Sequence, residues 1–500
     1  MNKDRLFKII GIILYATAFL TMVAYCVTLG GNDIWYDEVF SVVFSSSSYR
    51  EIVRLTSADV HPPLYYFYLK VVSDAGRALF PGTGVIFWGK LSSFLPWVVL
   101  FVLSAFPIRK RFGIFTGGLF VLLVTIMPKL GANYAEIRMY SFAMMLITIA
   151  FICTLGMMSD KKAILWTTGF YLTGIATAYT QYYACIAIIG LYIVYGIYAL
   201  ITGKKRHFVR LLFCAGLSVI SYLPWIGPLL SQMRAVSDNY WILPLTLRSI
   251  PGCLKFLFLP ADTLGAAGYA VACLVMAGIG LVYVMFLIKK PGKDELYIAL
   301  CGPVILIFTV ASGFIMSMMG RPIFVYRYMI PVMGAFYLSI AYTFGCVSRD
   351  NARVLVILIL FLISGRLTVG GYYYEEKQKC DKMKEARSVL DAIPEDGIIV
   401  TNFDHVCALM SFYMPQNRVY LYEGRPDPIV ELMYNRSDFE MSGDELLKAV
   451  KGSSPVFFFG SFNSREDLLS DWAKIGITNS EEADSVLIER YYFNIYRLSR

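Results

Sequence analysis

Residues 62–80 read Pro62-Pro63-Leu64-Tyr65-Tyr66-Phe67-Tyr68-Leu69-Lys70-Val71-Val72-Ser73-Asp74-Ala75-Gly76-Arg77-Ala78-Leu79-Phe80, and the topology of the chain turns on whether they cross a bilayer. The stretch is apolar enough to span. Its charges argue against that: Lys70, Asp74 and Arg77 fall at i, i+4 and i+7, one stripe of a helix. Three charges in a lipid-spanning helix cost several kcal/mol. A helix lying along the interface keeps the stripe in water and its other face in the acyl boundary. The segment is therefore read as a juxtamembrane helix on the outer surface. Upstream, Ser48-Tyr49-Arg50-Glu51 has the form of a capping box, Ser48 accepting from the backbone and Glu51 reaching back, which predicts a second short helix.

Outward from this segment, apolar sequence dominates. Of 500 residues, 57% are hydrophobic and 16% charged. Soluble proteins carry about 25% charged residues, because even a large domain clothes its surface in charge. This excludes a soluble globular chain. On the N-terminal side, Lys3, Arg5 and Lys8 precede an apolar run from Ile9 to Gly31, long enough to cross a bilayer. No small-residue cleavage site follows it, so it reads as a retained first helix and not a signal peptide. On the C-terminal side, apolar runs cover about 85–108, 113–128, 137–157, 163–179, 182–202, 209–230, 266–288, 296–318, 328–347 and 353–371. With the first helix they make eleven predicted spans.

Five basic clusters punctuate these runs: Arg109-Lys110-Arg111, Lys161-Lys162, Lys204-Lys205-Arg206, Lys289-Lys290, and Arg349 with Arg353. Each adjacent pair encloses two spans, so all five share one side with the basic N-terminus. The positive-inside rule makes that side cytoplasmic, and an odd number of spans sends the C-terminus outside. Counting residues 62–80 as a span would invert everything after them. The net charge of +9 is thus a topology signal. No nucleic-acid partner is expected; the lipid bilayer is.

Beyond residue 372 the character changes. Charge density rises, and Ile398-Ile399-Val400, Val419-Tyr420-Leu421 and Val456-Phe457-Phe458-Phe459 read as short buried strands. Helical stretches such as Arg465 to Lys474 lie between them, and Tyr491 to Leu498 closes the chain as a strand. The expectation is an α-helical polytopic membrane domain over 1–372, with an outer first loop at 30–84, followed by a small extracytoplasmic α/β domain over 373–500. The ten cysteines are scattered singly, without metal-ligand spacing. Cys380 and Cys407, both in the polar part, are a candidate pair that nothing in the spacing demands.

The polar residues of chemical interest fall on the outer side by this topology. The first outer loop carries Asn32-Asp33-Ile34-Trp35-Tyr36-Asp37-Glu38 and runs on to Asp59-Val60-His61-Pro62. Adjacent acids after an aromatic pair suit a general base with an orienting partner; a solvated acidic loop is the plain alternative, and His61 before two prolines suits a helix cap equally well. The second turn reads Asn133-Tyr134-Ala135-Glu136-Ile137-Arg138-Met139-Tyr140, where Glu136 and Arg138 also fit an interfacial ion pair. The third carries Thr180-Gln181-Tyr182-Tyr183, compatible with an aromatic belt. The fourth, about 231–264, holds Tyr240-Trp241. The last carries Arg321, Arg327, Tyr328 and Pro331. Outer arginines oppose the positive-inside tendency and suggest an anion, and a guanidinium suits phosphate.

Taken in order, Asp37-Glu38, His61-Pro62-Pro63-Leu64-Tyr65-Tyr66, Glu136-Ile137-Arg138-Met139-Tyr140 and Arg327-Tyr328 with Pro331 resemble the motifs of the dolichyl-phosphate-mannose-protein mannosyltransferase-like glycosyltransferases. These are family 39 of the GT-C superfamily in its broad bacterial sense, with the lipid A aminoarabinose transferase as a relative. The resemblance covers about the first 370 residues. It implies a GT-C glycosyltransferase, transferring a hexose or pentose from a polyprenyl-phosphate donor to an extracytoplasmic acceptor that is a glycan, a lipid or a protein. The family's first-loop Asp is the catalytic base, which maps to Asp37, with Glu38 as helper. Arg138 and Arg327 are then the phosphate ligands, with Arg321 in reserve, and Tyr140, Tyr182 and Tyr328 are further substrate contacts. Glu136 and His61 either shape the site or hold a metal. Relatives differ on metal use, so a divalent cation stays open. Attack in a single displacement inverts the anomeric centre. The rival readings are a transporter or flippase of lipid-linked sugars and a non-catalytic polysaccharide-assembly protein. Nearly charge-free spans and the lack of an internal repeat count against a transporter.

Overall fold

A computed structural model describes the chain except for residues 1, 2, 32, 160, 161, 236–241, 243 and 321. Asn32, Lys161, Tyr240, Trp241 and Arg321, all singled out above, lie outside the described residues. The chain divides into two compact units, one of Met1–Leu29, Val60–Val72 and Gly89–Tyr373, the other of Gly30–Asp59, Ser73–Trp88 and Tyr374–Arg500.

The protein is a multi-span membrane protein. Among the described residues, nine helices are long and apolar enough to cross a membrane: Lys3–Gly30, Val85–Phe112, Tyr140–Met157, Tyr182–Ile201, Lys205–Arg234, Gly265–Ile288, Lys293–Met319, Tyr326–Asp350 and Ala352–Leu390. The two other predicted spans fold as Ile114–Ile126, of 13 residues, and Ala163–Ala178, of 16. At 1.5 Å per residue these reach only about 20 and 24 Å, short of the roughly 30 Å of a hydrocarbon core. Ile114–Ile126 is buried along its length from Phe115 on, so neighbouring protein, not lipid, surrounds its non-helical ends.

Inside the first unit the helices sort by burial. The most apolar stretch of Tyr326–Asp350 is 94% buried and that of Tyr140–Met157 83%, against 17% for Lys205–Arg234. The first two are central and the last is peripheral, with Phe213, Ile220 and Leu230 exposed on a surface that only lipid would cover. The central helices pack closely. Gly302 of Lys293–Met319 faces the backbone of Ala335, and Ser339 ties the two helices, its hydroxyl donating to Ile298 O at 2.7 Å and accepting from Gly302 N–H at 3.1 Å.

The basic clusters gather at one end of this unit. Lys3 donates to Arg349 O at 3.1 Å and Arg349 to Phe112 O at 3.2 Å. Arg111 donates to Leu155 O, Lys293 to Ile201 O and Lys289 to Cys346 O. Lys289 also pairs with Asp350 at 2.6 Å, and Lys204 approaches Asp294 at 3.7 Å.

The helix expected over residues 62–80 is present as Leu64–Leu79, with Lys70 and Asp74 half-buried and Arg77 exposed; Arg77 pairs with Asp74 at 2.8 Å. The helix Tyr49–Ala58 precedes it. Ser48 accepts from Glu51 N–H at 3.2 Å, but the Glu51 carboxylate turns to Arg54, so only half of the capping box forms.

The second unit holds a six-stranded sheet: β1 (Ile398–Thr401), β2 (Arg418–Tyr422), β3 (Glu440–Met441), β4 (Val456–Gly460), β5 (Thr478–Ile488) and β6 (Tyr491–Ser499), in the order β3-β2-β1-β4-β6-β5. The first four run parallel, joined by the helices Asp404–Tyr413, Pro428–Tyr434 and Gly443–Val450, and β6 and β5 close one edge antiparallel. β4 is buried on both faces, as suits a central strand under helices. Val400, Phe458, Trp472 and Leu498 form its core. Cys407 is a free thiol buried in the helix Asp404–Tyr413, so the candidate pairing with Cys380 does not form.

Candidate active site

Tyr140 opens the helix that ends at Met157, Tyr182 the helix that ends at Ile201, and Arg327 lies in the first turn of Tyr326–Asp350. Each therefore stands at the opposite end of its helix from the basic clusters, about 27 to 38 Å away at helical rise. At this end the fully buried ring of Tyr134 stacks between Tyr25 and Trp97, both centroids 4.1 Å away. That stack fixes the turn leading into Glu136-Ile137-Arg138, where Arg138 N–H donates to Glu136 O at 2.7 Å.

The buried Arg138 points its guanidinium at His61, with Nη2 2.9 Å from Nε2. A guanidinium only donates, so Nε2 is the acceptor and the ring proton sits on Nδ1. Burial, then the positive charges of Arg138 and Arg327, hold His61 well below the usual imidazole range, and it is neutral. Among the described residues its Nδ1 has no hydrogen-bond partner. Arg327, half-buried, places its guanidinium 5.9 Å from the Tyr140 ring centroid, the outer limit of a cation–π contact. Glu136 is half-buried beside this group. His61, Arg138, Tyr140 and Arg327 are thus brought together within the first unit.

A cavity of about 590 Å³ adjoins them, lined by His61, Gln181, Tyr182, Gln232 and Tyr328 on its polar side and by Met233, Met316 and Met319 among the apolar ones. Tyr328 stacks on Tyr183 at 4.4 Å, Trp225 donates to the Tyr182 hydroxyl at 3.1 Å, and that hydroxyl donates to Gln232. Gln232 was not legible as a site residue. Its only sequence signal is a polar side chain near the end of an otherwise apolar helix.

Asp37 and Glu38 belong to the second unit, in the first turn of the helix Tyr36–Ser46. Asp37 is half-buried. The buried Glu38 carboxylate accepts from Trp35 N–H at 3.0 Å, which caps the helix start. Tyr36 stacks on His405, centroids 3.8 Å apart. Burial, then the charges of Asp404, Asp427 and Asp37, push the Tyr36 phenol far above its usual range, so it stays protonated. His405 is held low by burial, against the pull of the same three acids. Neither His405 nor Arg490, which covers Trp35, was singled out from sequence. Among the described residues no group of three or more His, Cys, Asp or Glu side chains is placed to hold a metal ion.

No protein-family model matches the sequence, and no curated protein sequence does. Among solved structures, the chain is similar to ArnT from Cupriavidus metallidurans in the apo state, at 15% identity and a TM-score of 0.60 with 97% of each chain covered. It is similar to the same protein bound to undecaprenyl phosphate, at 13% identity and 0.61, again over 97% of each. The AglB oligosaccharyltransferase of Archaeoglobus fulgidus, in complex with an inhibitory peptide and a dolichol-phosphate, is a looser match, at 9% identity and 0.42 over 89% of this chain and 69% of that one. Spanning nearly the full length of both ArnT structures, the chain shares their fold.

Proposed function

We propose that the protein is a membrane glycosyltransferase that moves a sugar from a polyprenyl-phosphate donor to an acceptor outside the cytoplasm, by inverting single displacement. The observation that carries this reading is His61, lining a largely apolar cavity and backed by Arg138 and Arg327. A polyprenyl phosphate needs cations and N–H donors for one anionic group and apolar side chains for the tail. The ArnT structure holding undecaprenyl phosphate supports a donor of the same class.

In this reading Asp37 takes the proton of the acceptor hydroxyl as its oxygen attacks the anomeric carbon. The bond from that carbon to the phosphate oxygen breaks, and polyprenyl phosphate leaves as an anion whose charge Arg138 and Arg327 meet. Direct attack from the face opposite the phosphate inverts the centre. The gathering of the basic clusters at one end of the bundle supports a cytoplasmic placement for that end in the cell membrane, with the α/β domain outside.

The test is turnover of polyprenyl-phosphate sugars by the full chain in liposomes. Wild type releases polyprenyl phosphate and yields a glycosylated acceptor. Asp37→Asn loses about 100- to 10,000-fold in rate, the usual cost of a positioned base. Arg138→Gln raises the donor KM about tenfold or more. Sugar crossing the bilayer still joined to its carrier would assign a flippase instead.

A further inference from the structure

The three residues that precede Asp37 are each held by a different side chain of the C-terminal segment within the second unit. Ile34 N–H donates to the Tyr413 hydroxyl at 3.0 Å. The Arg490 guanidinium lies 4.1 Å from the Trp35 ring centroid. The Tyr36 ring lies on His405 with planes only 12° apart, and the Tyr491 phenol oxygen faces Tyr36 N–H. Consecutive backbone positions pinned by separate partners leave little freedom to the residue that follows.

The partners are themselves fixed. His405 and Tyr413 stand at the two ends of one helix, Asp404–Tyr413, whose Asp404 carboxylate accepts from His405 N–H at 2.8 Å. Arg490 and Tyr491 follow Glu489, which has a positive φ of 53° at the β5–β6 turn. The nearly buried Glu489 carboxylate is 3.0 Å from the Lys379 ammonium, which takes Glu376 at 2.9 Å as well. The turn that presents Arg490 is thus anchored to the helix Ile357–Leu390.

We propose that the C-terminal α/β domain sets the position of Asp37, with His405 and Arg490 as positioning residues acting through Tyr36 and Trp35. This rests on Asp37 being the base of the proposed transfer, and it gives the α/β domain a part in the chemical step. A misplacement of about 1 Å costs on the order of 100-fold in rate, so loosening this grip lowers kcat while leaving the donor's own contacts intact. His405 is neutral, so its part is that of a stacked ring, and Phe replaces it without loss. Lys at position 490 keeps a cation over Trp35.

The experiment compares His405→Ala, Arg490→Ala and the double variant with His405→Phe and Arg490→Lys in the full chain. The readouts are kcat, donor KM, thermal midpoint and amide hydrogen exchange over residues 33–38, with Asp37→Asn run alongside. The expected result is a fall in kcat of roughly 10- to 100-fold for the alanine variants, an unchanged donor KM and midpoint, and faster exchange over 33–38. The Phe and Lys variants recover most of the rate. Unchanged kcat and exchange in a folded double variant, beside an inactive Asp37→Asn, overturn the positioning role and leave the proposed reaction standing. Equal losses in His405→Phe and His405→Ala with the fold intact overturn it too. Full turnover by Asp37→Asn overturns the base assignment, and the positioning role with it.

Discussion

A histidine accepting from one arginine and lying in the field of a second is a histidine that folding keeps unprotonated, and His61 is in that position. In the unfolded chain it titrates near pH 6.5. Below that pH the unfolded state binds a proton that the folded state refuses, so His61 makes stability fall as pH falls; above it both states are neutral and the effect vanishes. The wild-type thermal midpoint in detergent should therefore drop more steeply from pH 7 to pH 5 than that of His61→Gln. Parallel profiles would show that the imidazole is charged in the fold, which would also break the donor role of Arg138 toward Nε2. The same geometry has a functional side. With Nε2 taken by Arg138, the ring proton stays on Nδ1, while the two guanidinium charges stay in place at any physiological pH.

Between helices, the close approach at Gly302 decides how tightly Lys293–Met319 seats on Tyr326–Asp350. A Cβ there would stand 2.6 Å from Ala335 C and from Phe336 Cα, backbone atoms that do not move aside. Gly302→Ala should cost about 1–3 kcal/mol by overpacking. Gly280→Ala, at an exposed helical site with nothing within 4 Å, should be neutral or stabilising by up to about 1 kcal/mol. Thermal midpoints of the two variants check this, and a reversed order would place the helices further apart. What sequence revealed at this scale followed from burial. Strands β1, β2, β4 and β6 show because they are apolar runs. β5 begins Thr478-Asn479-Ser480-Glu481-Glu482 and is largely exposed at the sheet edge, where charge blunts edge pairing, so it carries no apolar pattern to read. β3 has only two residues. For the site, Arg138 and Arg327 were legible because charge opposes the local rule there. His405 and Arg490 were not, because their value comes from rings some 370 and 455 positions away in sequence, and no local pattern encodes such a meeting.

For the molecule as a whole, the path of the chain between its two ends turns on the short helices. If Ile114–Ile126 and Ala163–Ala178 failed to run from end to end, the basic clusters on either side of each could not meet. Yet Arg111 reaches Leu155 O at 2.8 Å, so the helix Tyr140–Met157 returns to the end that Ile114–Ile126 left. Likewise Tyr179 O, just past Ala163–Ala178, accepts from Leu64 N–H at 3.1 Å near His61, while Tyr182–Ile201 runs back to Lys293. Both short helices therefore pair with a returning one, although only nine helices have full length among the described residues. On the proposed eleven-crossing topology, with the positive-inside rule, Lys205 is cytoplasmic and the exposed Glu482 of β5 is outward. In a background freed of its ten cysteines, Lys205→Cys should resist a membrane-impermeant maleimide in cells whose plasma membrane is intact and accessible, and react only after lysis. Glu482→Cys should react before it. Labelling of both before lysis would mean an even number of crossings between them, which would overturn that topology by requiring one of the five helices from Lys205–Arg234 to Ala352–Leu390 to be reassigned.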